Sequence, residues 1–419
     1  MELFPYDSAE LRTLCGELDK WRTRLDHRGP LPRAWVGRVR RELEAEAVAA
    51  STSMEGVPVT VEEVRRILAG QRPKDVAAPD LELVTGYRDA MNFVLRRADD
   101  PAFGWSRELV VGLHDRVLAG RHDLGAGRLR TDRRAFVVNS QTGDQVFIPP
   151  GGSEVPGLVD VACSTMAQTH PHPAVASAWI HVAIAAIHPF RDGNGRAARV
   201  LAALAMYRGG FKRREFTSLE EWWGRHLADY YAAFGCLGTA FRSDTDVTPF
   251  VLAHIEAQLH QVRALDLRER IERQVWAGLE EVAAGSSLPD RVAHALWDGF
   301  FAREITAGDY RSSADVSPAT ATNDLAGAVR AGLLHAEGRQ RGRRYSATET
   351  LFERLGQLLV MDVSGPPEVS RDRIVSELSR RITENERTYD IDRPSQRLLP
   401  EIADWGPDED WSAWTDETR

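Results

Sequence analysis

Helical periodicity dominates the pattern of apolar and polar positions along this chain. Apolar residues recur three and four positions apart over 8–25 and 31–54, and the same spacing predicts helices at 60–69, 80–98 and 105–119. We therefore expect a mainly α fold.

The second of these helices has recognisable ends. Pro32 falls in its first turn, where a missing N–H group costs no hydrogen bond. Gly56 follows its last turn as a C-terminal stop, and Pro58 cannot continue the pattern. These signals predict one helix over 31–54.

A different pattern follows at 133–149. Two short runs of β-favouring residues, Ala135–Val138 and Gln145–Ile148, flank the turn sequence Ser-Gln-Thr-Gly-Asp. Two prolines and two glycines end the second run at 149–152. The sequence predicts a β-hairpin here, inside an otherwise helical region.

Two apolar helices are predicted after the hairpin. Residues 173–187 are apolar nearly all round, which marks a helix buried at the centre of a domain. A Gly-Asn-Gly loop separates this helix from a second apolar one at about 196–208. Further helices are predicted at 155–168 and within 217–283.

The pattern changes again at residue 289, where shorter helices alternate with turns. A basic segment at 338–345 interrupts them. The final residues, 401–419, hold seven acidic residues against one arginine and are expected to be mobile. The helices predicted in this part lie at 290–304, 310–315, 317–331, 349–361 and 369–388.

Composition limits the class of protein. The 419 residues are 43% hydrophobic and 27% charged, which is ordinary for two or three globular domains. No apolar run approaches the roughly 18 residues of a membrane span, and the first residues lack a secretory signal. We therefore expect a cytoplasmic protein with no membrane partner. The net charge of −9 excludes nonspecific nucleic-acid binding by the chain as a whole.

Two residue types bear on compartment and source. Cys15, Cys163 and Cys236 are odd in number and far apart, which argues against a disulfide framework and fits a reducing cytosol. Lysine is rare among the 53 basic residues, and alanine is abundant. This bias is typical of a GC-rich genome and indicates a bacterium.

The segment 188–199 carries the most specific chemistry. Its Gly-Asn-Gly sequence at 193–195 can turn consecutive backbone N–H groups toward one point, and the helix that follows adds its own free N–H groups. Arg196 and Arg199 are three residues apart, so their side chains share the helix face near this end. Together these features predict a polyphosphate cradle.

Three more residues complete the predicted site. Asp192 lies beside the cradle and has a carboxylate suited to Mg²⁺ that bridges phosphates. His188 has an ordinary pKa suited to removing a proton from a hydroxyl group. Phe190 is expected to plug the loop into the core. The chain has no Gly-x-x-x-x-Gly-Lys-Ser or -Thr sequence, so the site is not a P-loop.

The same segment resembles the signature of the Fic (Fido) family, His-x-Phe-x-(Asp or Glu)-Gly-Asn-Gly-Arg-x-x-Arg, at every defined position. The resemblance extends over about 105–240. It includes Gly127-Arg-Leu-Arg130 and the hairpin, which looks like the family's target-docking flap at 133–150. It implies a Fic-type helical core with a β-hairpin flap.

The resemblance also implies an activity. Fic proteins mostly transfer AMP from ATP, with Mg²⁺, to a Ser, Thr or Tyr hydroxyl of a target protein, and we extend this to the chain itself. His188 is then the general base, and Asp192 holds the metal. The residues implied in binding ATP are Phe190, Gly193, Asn194, Gly195, Arg196 for the β-phosphate and Arg199 for the γ-phosphate.

Residues 51–56, Ser-Thr-Ser-Met-Glu-Gly, resemble the inhibitory motif (Ser or Thr)-x-x-x-Glu-(Gly or Asn) of self-inhibited Fic proteins. Ser51 and Glu55 are four residues apart and are expected on one helix face, and Gly56 completes the motif. The resemblance implies that Glu55 pairs with Arg199 at the position of the γ-phosphate. ATP would then bind in a pose unsuited to transfer.

Residues 289–346 resemble the winged helix-turn-helix modules that often follow Fic cores. The helix that begins after Ser317 has an N-cap and a proline in its first turn, and 338–345 would be an arginine-rich wing. The helix residues expected to reach a partner are Thr320, Thr322 and Asn323. The sequence leaves open whether that partner is DNA or a protein, including a second copy of the chain.

The expected organisation is an N-terminal helical region 1–104 with an inhibitory helix at about 31–56, a catalytic core 105–245, a connector 246–288, a winged helix domain 289–362, a C-terminal helix 363–400 and an acidic tail 401–419. Two other functions stay open. One is a hydrolase that removes AMP with the same site and requires Glu55. The other is a nucleotide-sensing DNA-binding regulator that uses Arg341, Arg343 and Arg344. The motif also permits transfer of UMP or phosphocholine.

Overall fold

The structure is a computed structural model. It describes the backbone of residues 3–27, 44–131, 135–138, 144–168, 170–213, 216, 219–303, 305–339 and 342–388, with side chains as far as residue 384. The start of the second predicted helix at Pro32, the turn of the hairpin, Arg341 and the acidic tail 401–419 lie outside the described residues.

The described chain divides into two compact units. Residues up to Val262 belong to the first, and residues from Arg263 belong to the second. The division falls inside the segment 246–288 that was expected to be a connector. It also falls inside one helix, Thr248–Gly285, so it is marked by no loop and no change in composition.

The first unit is helical apart from its hairpin. Its helices pack around an apolar core to which nearly every one of them contributes. The described helices are α1 (Ser8–His27), α2 (44–53), α3 (Val61–Leu68), α4 (Ala78–Ala98), α5 (Arg107–Val117), α6 (Val155–Met166), α7 (Pro173–Ile187), α8 (Asn194–Arg208), α9 (Leu219–Arg225), α10 (Leu227–Ala233) and, up to Val262, the first part of α11 (Thr248–Gly285).

Helices α7 and α8 form the centre of this unit and pack against each other. Both are buried on almost all sides, as the apolar pattern of 173–187 predicts. Helices α4 and α5 pack against α8, and α6 packs against α7. The loop that joins α7 to α8 is therefore held from both sides by the best-packed part of the unit.

The hairpin pairs β1 (Val137–Val138) with β2 (Gln145–Phe147) in antiparallel orientation, with an irregularity between the two residues of β1. Phe147 is buried, whereas Val138 and Val146 are exposed. After β2, the amide of Ile148 donates to the carbonyl of Thr239 at 2.9 Å. The end of the hairpin is thereby attached to the segment between α10 and α11.

The second unit combines short helices with a three-stranded antiparallel sheet in the order β3-β5-β4. Three helices precede the β4–β5 pair, which is the element order that a winged helix requires. The elements after α11 are α12 (Ala293–Phe300), β3 (Ile305–Thr306), α13 (Ala307–Ala314), α14 (Pro318–Arg330), β4 (Leu334–Glu337), β5 (Arg344–Ala347), α15 (Glu349–Leu358) and α16 (Pro367–Thr388).

Two predicted boundaries in the second unit are wrong. The helix expected at 310–315 begins at Ala307, because Thr306 and Asp309 form a capping box that the sequence analysis overlooked. The helix expected at 290–304 is a 3₁₀ turn followed by α12, which ends at Phe300. Among the described helices, none combines the length and apolar character of a membrane span.

Candidate active site

The loop between α7 and α8 brings the predicted catalytic segment to one place. His188 caps the C-terminal end of α7 in the left-handed region, with φ 48° and ψ 60°. Gly193 is the N-cap of α8. The start of α8 therefore presents its free N–H groups next to the loop that begins at His188. Free N–H groups at a helix N-terminus form an anion site.

Side chains within and below this loop fix its shape. The Asn194 amide group donates to the carbonyl of Phe190 at 3.0 Å and accepts from the amide of Phe190 at 2.9 Å. Phe190 is completely buried, and its ring stacks on His114 with centroids 3.5 Å apart. Phe190 is thus the plug that the sequence predicts, and its buried ring anchors the loop rather than facing a ligand. For Asn194, the backbone N–H is the group left for a phosphate.

His114 ties this loop to a neighbouring segment. One ring nitrogen, Nδ1, lies 3.1 Å from the amide of Gly127, which can only donate. The other, Nε2, must then carry the hydrogen, and it lies 2.8 Å from the carbonyl of Asp192. Burial lowers the pKa of His114 to about 4. A neutral ring in one fixed tautomer therefore holds the Asp192 backbone.

His188 has the electrostatic setting of a base. Burial lowers the pKa of its ring, and the cation of Arg130 lowers it further. A hydrogen bond with the backbone of Ala185 and the carboxylates of Glu55 and Asp192 act in the opposite direction. The net result is a ring that is neutral near pH 7 and can accept a proton.

Arg196 shows the strongest sign of a missing anionic partner. Its side chain is only 2% exposed, and its Nε and Nη1 have no hydrogen-bond partner among the residues that the structure describes. Its Nη2 lies 3.3 Å from the Asp192 carboxylate, and its Nε lies 3.8 Å from that of Glu55. A buried guanidinium with free donors beside a helix N-terminus fits a phosphate group.

Arg199 is held by the segment that was predicted to be inhibitory. Its Nε donates to the hydroxyl of Ser51 at 2.9 Å, and its Nη2 donates to the carbonyl of Ser51 at 2.9 Å. The same Nη2 donates to the carboxylate of Glu55 at 3.0 Å. The side chain of Arg199 is 3% exposed and that of Glu55 is 19% exposed, so this ion pair is largely shielded from water.

The expectation that Ser51 and Glu55 share a helix face needs one correction. Helix α2 ends at 53, and Glu55 lies in the turn that closes it. The amides of Gly56 and Val57 donate to carbonyls of the last helical turn, at 2.9 and 3.1 Å. Gly56 has φ +79°, which a side chain at this position would strain. The turn that Gly56 permits therefore determines the direction of the Glu55 side chain.

The close approach of the Glu55 side chain explains why residue 195 is a glycine. A Cβ atom at Gly195 would collide with the Glu55 carboxylate and lie 3.1 Å from Nη1 of Arg199. The carboxylate of Glu55 therefore lies against the backbone at the start of α8, inside the predicted phosphate cradle.

The described site offers few side chains that could bind a metal. This suits a Mg²⁺ ion that takes most of its ligands from a nucleotide and water. The Asp192 side chain is 43% exposed, and the described residues contain no cluster of three or more metal-binding side chains. Mg²⁺ typically binds one or two carboxylates and completes its shell with phosphate and water. Asp192 fits that role.

Two side chains that contact the site have no role assigned from the sequence. Tyr230, on α10, has its hydroxyl 3.4 Å from Nη1 of Arg199 and 3.2 Å from a ring nitrogen of His181. Arg130 donates to the carbonyl of His188 at 2.6 Å. Arg130 belongs to the Gly127-Arg-Leu-Arg130 segment of the family resemblance, but neither contact follows from spacing, because each joins residues at least 31 positions apart.

The residues predicted to meet a second partner lie in the other unit. Ser317 caps α14, which carries Thr320, Thr322 and Asn323 in its first turns. Its hydroxyl accepts from the amide of Thr320 at 3.2 Å, and the hydroxyl of Thr322 donates to the carbonyl of Pro318 at 2.9 Å. The described arginines of the predicted wing include Arg343, just before β5, and Arg344, its first residue.

Comparison with known proteins supports the resemblance of the helical core in the first unit to the Fic family. The Fic/DOC family model matches residues 104–206. A protein adenylyltransferase Fic from Nematostella vectensis is 27% identical over 191 residues, which are 44% of this chain and 41% of that protein. A protein adenylyltransferase fic-1 from Caenorhabditis briggsae is 33% identical over 102 residues, which are 24% of this chain and 19% of that protein. The chain thus spans less than half the length of either curated relative.

A solved structure shares the fold. A Fic family protein from Desulfovibrio desulfuricans G20 superposes with a TM-score of 0.53 at 22% identity and covers 83% of this chain and 98% of its own. The mainly helical architecture around the α7–α8 loop is therefore shared with Fic-family structures.

Proposed function

Because residues 104–206 form a Fic domain, we propose that this chain transfers AMP from ATP to hydroxyl groups of a target protein and of itself, restrained by Glu55. One observation carries the proposal. A neutral histidine, a helix N-terminus and a buried guanidinium with free donors lie within one loop and the first turn after it.

The proposed chemistry needs few groups. A ring nitrogen of His188 takes the proton from a Ser, Thr or Tyr hydroxyl, whose oxygen forms a bond to the α-phosphorus of ATP. The bond between the α-phosphorus and the bridging oxygen breaks, and pyrophosphate leaves. Arg196 and Arg199, with the N–H groups of Asn194 and Gly195, bind the anionic phosphates and hold them in line. The N–H of Gly193 donates to the Asp192 carboxylate instead.

Mg²⁺, when bound to Asp192 with the nucleotide, supplies further neutralisation of phosphate charge. The chain's own part is to hold that carboxylate in place. His114 binds the Asp192 backbone carbonyl, and Nη2 of Arg196 approaches the carboxylate. Both contacts support the same orientation of Asp192.

The hairpin is the proposed docking site for the target. A target segment that pairs with the hairpin as an added strand would be aligned through its main chain. Few of its side chains would be recognised. The exposed apolar residues Val138 and Val146 fit this use, since they lie on a strand pair beside the site and do not enter the core.

We propose that Glu55 is the restraint. Its carboxylate binds Arg199 and lies against Gly195, where a terminal phosphate would otherwise meet the same donors. Two negative groups cannot share one guanidinium without strong repulsion. ATP therefore binds productively only when Glu55 moves away.

Transfer is tested with ATP labelled at either phosphate. Purified Glu55→Gly protein is incubated with Mg²⁺ and α-labelled or γ-labelled ATP, and His188→Ala in the same background is the control. The proposal expects protein-bound label from α-labelled ATP only, and none with His188→Ala. Label from γ-labelled ATP would indicate phosphoryl transfer instead, and persistent label with His188→Ala would remove its role as base.

A hydrolase that removes AMP is the second candidate function, and the position of the Glu55 carboxylate supports it. The carboxylate at the start of α8 is placed where it can orient a water molecule as well as block a phosphate. A hydrolase would release AMP from a modified protein with the wild type and lose this activity in Glu55→Gly. The transferase shows the opposite dependence on Glu55.

The second unit has a separate proposed partner. We propose that Arg343 and Arg344, both exposed at the start of β5, contact a phosphate backbone. A gel shift with DNA from upstream of the coding region, repeated over a range of salt concentrations, tests this. Binding that weakens with salt and with Arg343→Ala supports DNA, whereas its absence favours a protein partner.

A further inference from the structure

Arg130 contacts backbone groups on both sides of the proposed base. The residue is 8% exposed. Its Nε donates to the carbonyl of His188 at 2.6 Å, and its Nη2 donates to that of Ile187 at 2.9 Å. Its backbone amide donates to the carbonyl of Pro189 at 2.9 Å. Three successive residues of the α7–α8 loop region are therefore bound by one residue.

These contacts fall where a helix most needs them. The last carbonyls of α7 have no partner within the helix, and His188 adopts a left-handed conformation that non-glycine residues rarely take. A buried guanidinium can satisfy two such carbonyls at once because its donors form a planar fork. Its positive charge also suits the negative end of the helix dipole.

The same guanidinium reaches the hairpin. Its Nη1 donates to the carbonyl of Pro150 at 2.8 Å, three residues after β2 ends. The next residue, Gly151, is in turn fixed by the Glu154 carboxylate, which accepts from its amide at 3.0 Å. One side chain thus connects the end of the flap with the backbone of His188.

The charges around His188 agree with a direct influence of Arg130. Burial lowers the pKa of His188, and the Arg130 cation lowers it further. Glu55, from the turn after α2, and Asp192, from the loop, oppose this effect. Removal of the Arg130 charge should therefore raise the pKa of His188 toward its ordinary value.

We propose that Arg130 is a positioning residue for the transfer reaction, one that fixes the backbone of His188 and holds the end of the flap at a set place relative to it. The inference rests on the proposed function. It goes further by coupling the docking of the target to the placement of the base, since both depend on one guanidinium.

The kinetic test uses Arg130→Met and Arg130→Lys in the Glu55→Gly background. Arg130→Met should lower kcat about 100-fold, the effect expected when a reacting group is misplaced by about 1 Å, with little change in KM for ATP. Arg130→Lys keeps the cation without the fork and should lower kcat about tenfold. Arg130→Lys also keeps the kinetic test possible if Arg130→Met does not fold.

A matched control separates positioning from loss of stability. Nη1 of Arg208 donates to the carbonyls of Arg97 and Ala98 at the end of α4, at 3.5 and 3.2 Å, which is the same kind of contact away from the loop. Arg208→Met should lower the melting temperature without lowering kcat. Equal losses of kcat in Arg208→Met and Arg130→Met at equal loss of stability would overturn the inference.

A second readout does not depend on activity. The His188 ring is titrated by NMR in the same proteins, with Arg208→Met again as control. Its pKa should rise in Arg130→Met and stay near the parent value in Arg130→Lys. If the parent transfers no label, the proposed function fails, but this titration still decides whether Arg130 acts on His188. An unchanged His188 titration together with an unchanged kcat in Arg130→Met refutes it.

Discussion

Replacement of Glu55 by glycine removes the carboxylate that binds Arg199 and leaves the rest of that guanidinium's contacts in place. The two hydrogen bonds from Arg199 to Ser51 do not involve Glu55. The variant should therefore keep the arginine oriented while freeing one donor for a phosphate. We expect faster transfer of AMP, not merely tighter binding of ATP.

The size of the effect follows from burial. A solvent-exposed ion pair contributes about 0–1 kcal/mol, which would change the rate by less than about sixfold. Glu55 and Arg199 are 19% and 3% exposed and 3.0 Å apart, so a charge-assisted hydrogen bond of about 1.5–3 kcal/mol is the better reference. At about 1.4 kcal/mol per tenfold, self-modification should rise about 10- to 150-fold.

The assay compares initial rates of label incorporation from α-labelled ATP at saturating Mg²⁺. Glu46→Gly, on α2, is the control for the loss of an acidic residue and the gain of a glycine in the same segment. It should change stability but leave the rate near that of the wild type. Equal rates for wild type and Glu55→Gly, or an equal rise in Glu46→Gly, would refute a specific restraint by Glu55.

Three further predictions follow from the same geometry. His188→Ala should abolish transfer yet keep ATP affinity by calorimetry, because the phosphate donors lie in 193–199; lost affinity would contradict this division. Asp192→Asn should raise the Mg²⁺ concentration needed for half-maximal rate, and an unchanged requirement would exclude Asp192 as the ligand. His114 has its pKa lowered to about 4 from 6.5, so its contribution to stability is complete above pH 6.5 and is lost as the pH falls toward 4. Urea unfolding should show a loss of about 2 kcal/mol between pH 7 and 5 that His114→Phe lacks; equal losses would contradict it.

Much of the core could be predicted from the sequence because its signals are local. The apolar run at 173–187 predicts α7 with the bounds that the structure has, and Gly56 predicts the stop of α2. The phosphate cradle is equally local, since 188–199 supplies a helix end, a loop and its charges within twelve residues.

The contacts that shape the site were not predictable in the same way. Arg130 acts through backbone carbonyls of His188 and Ile187, and any sequence provides such carbonyls. Tyr230 reaches Arg199 across 31 residues, so only the packing of α10 reveals it. The unit boundary falls within the predicted connector 246–288, but no linker marks its position there, because α11 passes through it.

The buried setting of Arg199 explains how one residue can serve both restraint and catalysis. Burial alone would lower its pKa, but Glu55 raises it, with smaller contributions from Tyr230 and others nearby. When Glu55 leaves, Ser51 and the Tyr230 hydroxyl still orient the guanidinium but do not neutralise it. Glu220 still raises the pKa of Arg199, but the carboxylate that bonds to the guanidinium directly is gone. An oriented charge without that partner, in a poorly solvated place, attracts a phosphate far more strongly than an exposed arginine would. The burial that makes Glu55 an effective restraint is therefore the same property that makes the released site effective toward ATP.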